Sequence, residues 1–256
     1  MNDFPRFDLE GRTALVTGAA RGLGRAIALA LADAGADVSL GLRDPSSADD
    51  LAKEIRSMGR ESFSVAMDVL DLAQIRTAVD AVVDRFGRLD VLVTNAGLGP
   101  ENLAEDVTEA DYDLTFGVNV KGAFFASQAA GRVMMRQGGG RIVNISSQAG
   151  LVALPTESVY CMTKAALCHL TKCLALEWGK HSINVNAVAP TFIRTPGTEP
   201  ALADPEFRAE VVAKIAALHR IGEPGDVTGA VVFLASPAAS LITGTTLVVD
   251  GGWTVQ

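Results

Sequence analysis

The sequence predicts a doubly wound α/β fold, a seven-stranded parallel sheet with helices on both faces. Short β-branched runs alternate with longer amphipathic stretches from one end of the chain to the other. Of the 256 residues 48% are apolar and only 20% charged, a balance expected of strands buried on both sides between helices. A glycine-rich turn joins the first strand to the first helix.

Residues 12–17 read as the first strand and 22–34 as the helix after it; strand 37–42 leads to a helix at about 47–58. Strand 62–67 is followed by a helix over 72–86, and strand 89–94 by a long helix over 109–136. Strand 141–146 precedes a helix from 158 to about 179, then come strand 183–188, a helix near 226–234 and a last strand at 246–249. Right-handed crossovers between these strands put helices on both faces. Neither a repeat nor a linker interrupts the series, so residues 1–256 read as one domain. The segment 190–223 breaks the rhythm, being rich in proline, threonine and charge, and a connection of that length reads as a substrate lid.

A net charge of −8, from 22 basic and 30 acidic residues, argues against nucleic acid or an anionic membrane as the main partner. Cys161, Cys168 and Cys173 all fall in one helical stretch, which is no disulfide framework and points to a reducing compartment. His169, His181 and His219 are scattered without metal-ligand spacing. The N-terminal Met-Asn-Asp-Phe-Pro-Arg-Phe-Asp lacks the apolar stretch of a signal peptide, and no run approaches the ~20 apolar residues of a membrane span, so a soluble cytoplasmic protein is expected.

Strand one ends in Thr17-Gly18-Ala-Ala-Arg21-Gly22-Leu23-Gly24. Glycines there let a backbone approach a pyrophosphate at the positive end of a helix, the device of a Rossmann-type dinucleotide site. An acidic residue at the end of strand two would bind the ribose diol, but that position is Leu42, followed by Arg43. Arg21 and Arg43 together suit a 2′-phosphate, so NADP(H) is favoured over NAD(H); the alternative is that both are surface arginines and Asp44 serves the ribose. Asp68-Val69, at the end of strand three, is placed to meet the adenine. Further on, Tyr160 and Lys164 stand four residues apart at helical spacing, a phenol beside an ammonium, which makes a proton donor and acceptor.

These residues resemble those of the short-chain dehydrogenase/reductase family, and the resemblance covers essentially the whole chain. The 17–24 turn looks like its cofactor loop, Asn95-Ala96-Gly97 its second signature, and Asn119 its helix asparagine. Ser147 lies 13 residues before Tyr160, and Lys164 completes the tetrad. The resemblance implies hydride transfer between nicotinamide C4 and a carbonyl or alcohol carbon. Tyr160 would be general acid or base, Ser147 would bind the substrate oxygen, and Lys164 would lower the tyrosine pKa and hold the nicotinamide ribose. Asn119 would distort its helix and position a water that relays protons to Lys164. Pro190, Ile193 and Thr195 match positions beside the carboxamide. Two departures stand out: Thr94 precedes Asn95 where the family commonly has asparagine, and Thr191 follows Pro190 where it has glycine.

The pocket is expected between 98–101, 148–156 and the lid, with Gln148, Glu157 and Arg194 available to hydroxyls beside the apolar Leu151, Val152, Leu154 and Phe192. The stretch 174–191 is similar to sugar, polyol and sugar-acid dehydrogenases of the family, which makes a small polyhydroxy compound the expected substrate. One alternative is a 3-oxoacyl-carrier-protein reductase, for which Arg132, Arg136, Arg141, Lys180 and His181 would have to receive the carrier; another is a non-catalytic nucleotide-binding redox sensor. The helices 109–136 and 158–179 resemble the family's four-helix dimer interface and residues 250–256 its second interface, so a homotetramer, or a dimer, is expected.

Overall fold

The computed structural model describes Phe4 and residues 6–255. Residues 1–3 and 5 of the N-terminal stretch, and Gln256 of the expected second interface, lie outside the described residues. The strands are β1 (Thr13–Thr17), β2 (Asp37–Leu42), β3 (Ser62–Ala66), β4 (Val91–Thr94), β5 (Gly140–Ile145), β6 (Ile183–Pro190) and β7 (Thr246–Val249). They form a parallel seven-stranded sheet in the order β3-β2-β1-β4-β5-β6-β7.

Alternate strand residues face opposite layers. Val16, Val38 and Leu40 meet α1 (Gly22–Asp33), α2 (Asp49–Ser57) and α9 (Pro224–Ala235) through Ile27, Leu31, Leu51, Ile55 and Val231. Leu15, Leu92 and Ile142 meet α3 (Leu72–Phe86), α5 (Ala123–Gln137) and α6 (Ser158–Trp178) through Ile75, Val82, Ala130 and Leu174. Each such side chain contributes about 1.5–3 kcal/mol by leaving water.

The strand ends differ from expectation where charge replaces the ladder. Asp90 is buried and accepts from Thr13 N at 3.0 Å, from Arg12 Nη1 at 3.0 Å and from Arg88 Nε and Nη2 at 2.6 Å. This cluster ties β1 to β4 below their first paired residues, so the strands begin at Thr13 and Val91 rather than 12 and 89.

Two expected elements are corrected. The helix expected over 109–136 is α4 (Glu109–Phe116), a π-helical stretch at Gly117–Gly122 centred near Asn119, and α5. The segment 190–223 is not a bare loop. It holds α7 (Glu199–Leu202) and α8 (Pro205–Lys214). Pro205 starts α8 because the first helical position needs no amide donor, and Asp204 caps it by accepting from Glu206 N at 2.9 Å. Leu202, Val211, Ile215, Ile221 and Trp253 make a small core here, with Phe192 stacked on Trp253 at 5.7 Å between ring centroids. Trp253 is therefore folded into its own chain, and the exposed apolar residue of the expected second interface is Val255.

The arginines hold the Asp90 carboxylate below its usual pKa against the opposing effect of burial. A depressed carboxylate contributes stability that is present above about pH 4 and lost as pH falls through the lower folded value. Asp90→Asn is expected to cost about 2–4 kcal/mol at pH 7 in urea unfolding, a gap that closes as the pH drops below about 4; a pH-independent gap would show that charge is not what Asp90 supplies.

Candidate active site

The strand order reverses between β1 and β4, so crossovers leave in opposite directions and open a crevice at the carboxyl ends of the strands. A cavity of about 1150 Å³ occupies it, large enough for a dinucleotide and a small substrate. Gly18, Arg21, Gly22, Leu23, Gly24, Arg43, Asp68, Val69, Asn95, Ala96, Gly97, Pro190, Ile193 and Thr195 all line this cavity, as do Ser147, Tyr160 and Lys164. Asn119 does not line it and sits buried behind Gly97 and Leu98.

At the outer end, the chain turns from β1 into α1 through Gly18, whose φ of +65° and approach to Ala96 leave no room for a side chain. The first turn of α1 has neither a side-chain cap nor an acidic residue, so its amides face the cavity unsatisfied. The side chains of Arg21 and Arg43 are exposed and make no ion pair or hydrogen bond among the described residues, while Arg25 is taken by Asp50 and Glu54. Asp44 spends Oδ1 on Ser46, accepting from its amide at 3.0 Å and its hydroxyl at 2.7 Å. Donors, positive charge and two uncommitted guanidinia fit a phosphorylated dinucleotide.

Several residues expected to touch a cofactor also hold the walls of the cavity. Asn95 donates from Nδ2 to the carbonyls of Thr17 and Gly18 at 3.0 and 3.1 Å. Thr17 Oγ1 in return accepts from the amides of Asn95 and Ala96, both at 3.0 Å. Asp68 Oδ1 accepts from Leu70 N at 2.9 Å, a turn within the loop after β3. Thr94 donates to Asn144 Oδ1 at 2.7 Å, which absorbs the first departure from the family pattern. At the second, Thr191 Oγ1 is buried without a partner and faces the lid base.

At the inner end, Ser147 Oγ donates to Gln148 Oε1 at 2.8 Å and accepts from Ala149 N at 3.1 Å. Tyr160 is half-buried, its ring laid on the backbone of Gly99. Lys164 is buried, donates to Ile145 O at 2.9 Å and stands 5.4 Å from the centre of the tyrosine ring. Burial pushes the Tyr160 phenol up to about 12, with the Ser147 hydroxyl within hydrogen-bonding reach and pulling the other way. Burial likewise pulls Lys164 down to about 8. In the protein alone, then, desolvation is the largest influence on both groups.

Asn119 Oδ1 accepts from Leu98 N at 2.9 Å, and its Nδ2 donates to Leu98 O at 2.7 Å and to Thr163 Oγ1 at 3.0 Å. Both amide hydrogens are committed, so the side chain is a clamp between the loop after β4 and α6. Thr17, Thr163 and Ser146, which donates to Lys164 O at 2.9 Å, were not singled out from sequence; only the position of each beside a motif residue signalled them. Arg194 and Leu151 lie outside the cavity: Arg194 is bound to Glu199 at 3.0 Å and Glu223 at 3.1 Å, and Leu151 faces solvent.

A methyl group on Gly99 would lie 2.6 Å from Tyr160 Cδ2. Gly99→Ala is expected to lower turnover at least about tenfold by displacing the phenol, with the thermal midpoint shifted by no more than a few degrees. Unchanged turnover would mean that the ring is not held there.

The family model described as enoyl-(acyl carrier protein) reductase matches residues 18–254. D-threitol dehydrogenase of Mycolicibacterium smegmatis is 40% identical over 98% of this chain and 95% of its own. A 3-oxoacyl-[acyl-carrier-protein] reductase of Staphylococcus aureus is 41% identical over 94% and 97%. A gluconate 5-dehydrogenase from Burkholderia cenocepacia, solved in complex with NADP and tartrate, superposes with a TM-score of 0.94 at 36% identity and covers 98% of both chains. With likeness of this extent on a shared fold, the chain belongs to the short-chain dehydrogenase/reductase family and is an oxidoreductase acting on a CH–OH group.

Proposed function

We propose that the protein is an NADP(H)-preferring dehydrogenase of a small polyhydroxy compound, a sugar, polyol or sugar acid. The observation that carries this reading is one cavity with uncommitted arginines at its outer end and Ser147, Tyr160 and Lys164 together at its inner end. When bound, the nicotinamide supplies or accepts the hydride at its C4. Gly18 to Gly24, Arg43, Asp68 and Val69 would hold the adenosine half, and Lys164, Pro190, Ile193 and Thr195 the nicotinamide half. The threitol and gluconate dehydrogenases among the relatives support the substrate class, and the NADP of the gluconate enzyme supports the cofactor.

Tyr160 Oη gives its proton to the carbonyl oxygen in reduction and takes it from the hydroxyl in oxidation. Ser147 Oγ, rotated away from Gln148, donates to the same oxygen and stabilises the charge developing on it. Lys164, buried and close to the ring, favours the phenolate over the phenol. Asn119 holds the wall behind both groups, and any water on the relay to Lys164 rests on backbone carbonyls of the π-helical stretch, since the amide hydrogens are spent. The segment 190–223, on its own small core, is the lid over the substrate.

The carrier-protein alternative is weakened by placement. Arg132 and Arg136 lie toward the end of α5, and Lys180 and His181 just beyond α6, at the opposite end of the sheet from the cavity. Arg141 is half-buried at the start of β5. Exposed Met162 and Leu176 on α6 and Tyr112 and Leu114 on α4 support self-association, as tetramer or dimer, through these helices. No described helix is long and apolar enough to cross a membrane, and the cysteine usage supports a reducing, cytoplasmic location.

Turnover with NAD(H) and NADP(H) across sugars, polyols, aldonates and β-ketoesters tests the reading; activity confined to acyl-carrier β-ketoesters would remove it. Tyr160→Phe is expected to lower kcat by about 10²–10⁴-fold, and full turnover would remove the mechanism and favour the redox sensor. Arg43→Ala is expected to raise KM for NADP(H) about 10–100-fold and that for NAD(H) far less; equal effects would remove the 2′-phosphate assignment. The base must be ionised, so oxidation kcat/KM should rise with pH up to the apparent pKa of the Tyr160–Lys164 pair, and reduction should fall above it. Lys164→Met should move that limb to higher pH.

A further inference from the structure

The substrate end of the cavity carries a charge pattern that hydride transfer does not require. Glu101 and Glu157 both line it, with Gln148 nearby, and neither carboxylate has a hydrogen-bond or ion-pair partner among the described residues. Lys164 is the one cation lining this end, and it is committed to Ile145 O; Arg21 and Arg43 stand at the nucleotide end. Arg194 could have balanced the pair, but Glu199 and Glu223 hold it outside.

The backbone places the two acids deliberately close to the reacting group. Asn102 N donates to Thr156 O at 2.8 Å, joining the loop after β4 to the turn before α6. Thr156 is held at a φ of +62°, a left-handed conformation costly for a β-branched residue and found where the surrounding structure over-determines it. Glu157 follows at the N-cap of α6 yet makes no side-chain cap bond. Its carboxyl is spent on nothing inside the protein, three residues from Tyr160. Burial, and then Glu101, push the Glu157 carboxyl up to about 7, so it is partly protonated at neutral pH and its repulsion of an anion grows as the pH rises through that value.

We propose that Glu101 and Glu157 make this a charge-selective site, which admits neutral hydroxylated substrates and excludes those with a carboxylate or phosphate near the reacting carbon. A neutral polyol offers O–H donors to two acceptors that otherwise lack them. An aldonate brings a further negative charge to a wall whose one lining cation at this end, Lys164, is already committed to Ile145 O, and repulsion in a partly desolvated pocket is worth at least about tenfold in affinity. The choice of neutral polyols rests on the polyhydroxy reading of the site; the exclusion of anions does not. It narrows that reading to its uncharged members.

The test compares kcat and KM for matched neutral and anionic substrates, threitol against threonate and ethyl 3-oxobutanoate against 3-oxobutanoate. In the wild type the neutral member of each pair is expected to be favoured at least about tenfold, through KM rather than kcat. The double variant Glu101→Gln, Glu157→Gln should lower KM for the anionic members about tenfold while raising it for threitol. Glu101→Lys, at an exposed position, should lower KM for the anions further and serves if the double variant unfolds. Equal use of both members by the wild type, or a gap that survives in the variants, overturns the proposal. A gap on the ketoester pair without polyol turnover upholds charge selection and removes the polyhydroxy reading. Turnover of threitol and threonate alike does the reverse.

Discussion

Where the sheet reverses direction, two strands part and their last backbone groups lose the neighbours that a ladder would supply. The site exists because side chains take that role. Thr17 accepts from two amides of the loop after β4, Asn95 returns two bonds to the carbonyls of Thr17 and Gly18, and Asn119 grips Leu98 by both its amide and its carbonyl. Leaving one such buried group unpaired costs about 1–3 kcal/mol. The same asparagine reaches Thr163, the residue before Lys164, so the rotation of α6 is set from the crevice. The positions of the lysine and the phenol follow from those bonds.

Tyr160 and Lys164 sit where neither charge is comfortable. A lysine depressed to about 8 binds fewer protons folded than unfolded between there and its ordinary value near 10.5, so its cost to stability is full below pH 8 and is relieved as pH rises. A phenol raised to about 12 binds more protons folded than unfolded between its ordinary value near 10 and that value, so stability is lost as pH rises through this window. Each group opposes ionisation in the protein alone.

Strands and flanking helices were legible because parallel strands buried on two faces must be apolar throughout, as in Ala-Leu-Val of β1. The candidate site residues Ser147, Tyr160 and Lys164, which the structure brings to one cavity, were legible because their spacing survives as pattern. What escaped is of another kind. The π-helical stretch shifts a hydrogen-bond register without changing which residues are apolar, so periodicity passes over it. Proline at 200 and 205 reads as a breaker, yet at a first helical turn it is compatible, and Asp204-Pro205-Glu206 held that signal. The fate of Arg194 depended on Glu223, 29 residues away, and the balance on Tyr160 on how deeply the ring is wrapped. Both are properties of packing, which local sequence does not carry.

The segment 190–223 has its own folding schedule. Phe192 opens the segment, but its stacking partner Trp253 belongs to the last turn, which Asp250 ties by accepting from Gly252 N at 2.9 Å and Thr254 N at 2.8 Å. During synthesis, which proceeds from the N-terminus, the crevice between β1 and β4 can be built while the segment 190–223 still lacks the ring its core is packed around. The crevice is therefore formed before this segment can close on its core, and a nascent chain stalled short of residue 253 would carry the one without the other.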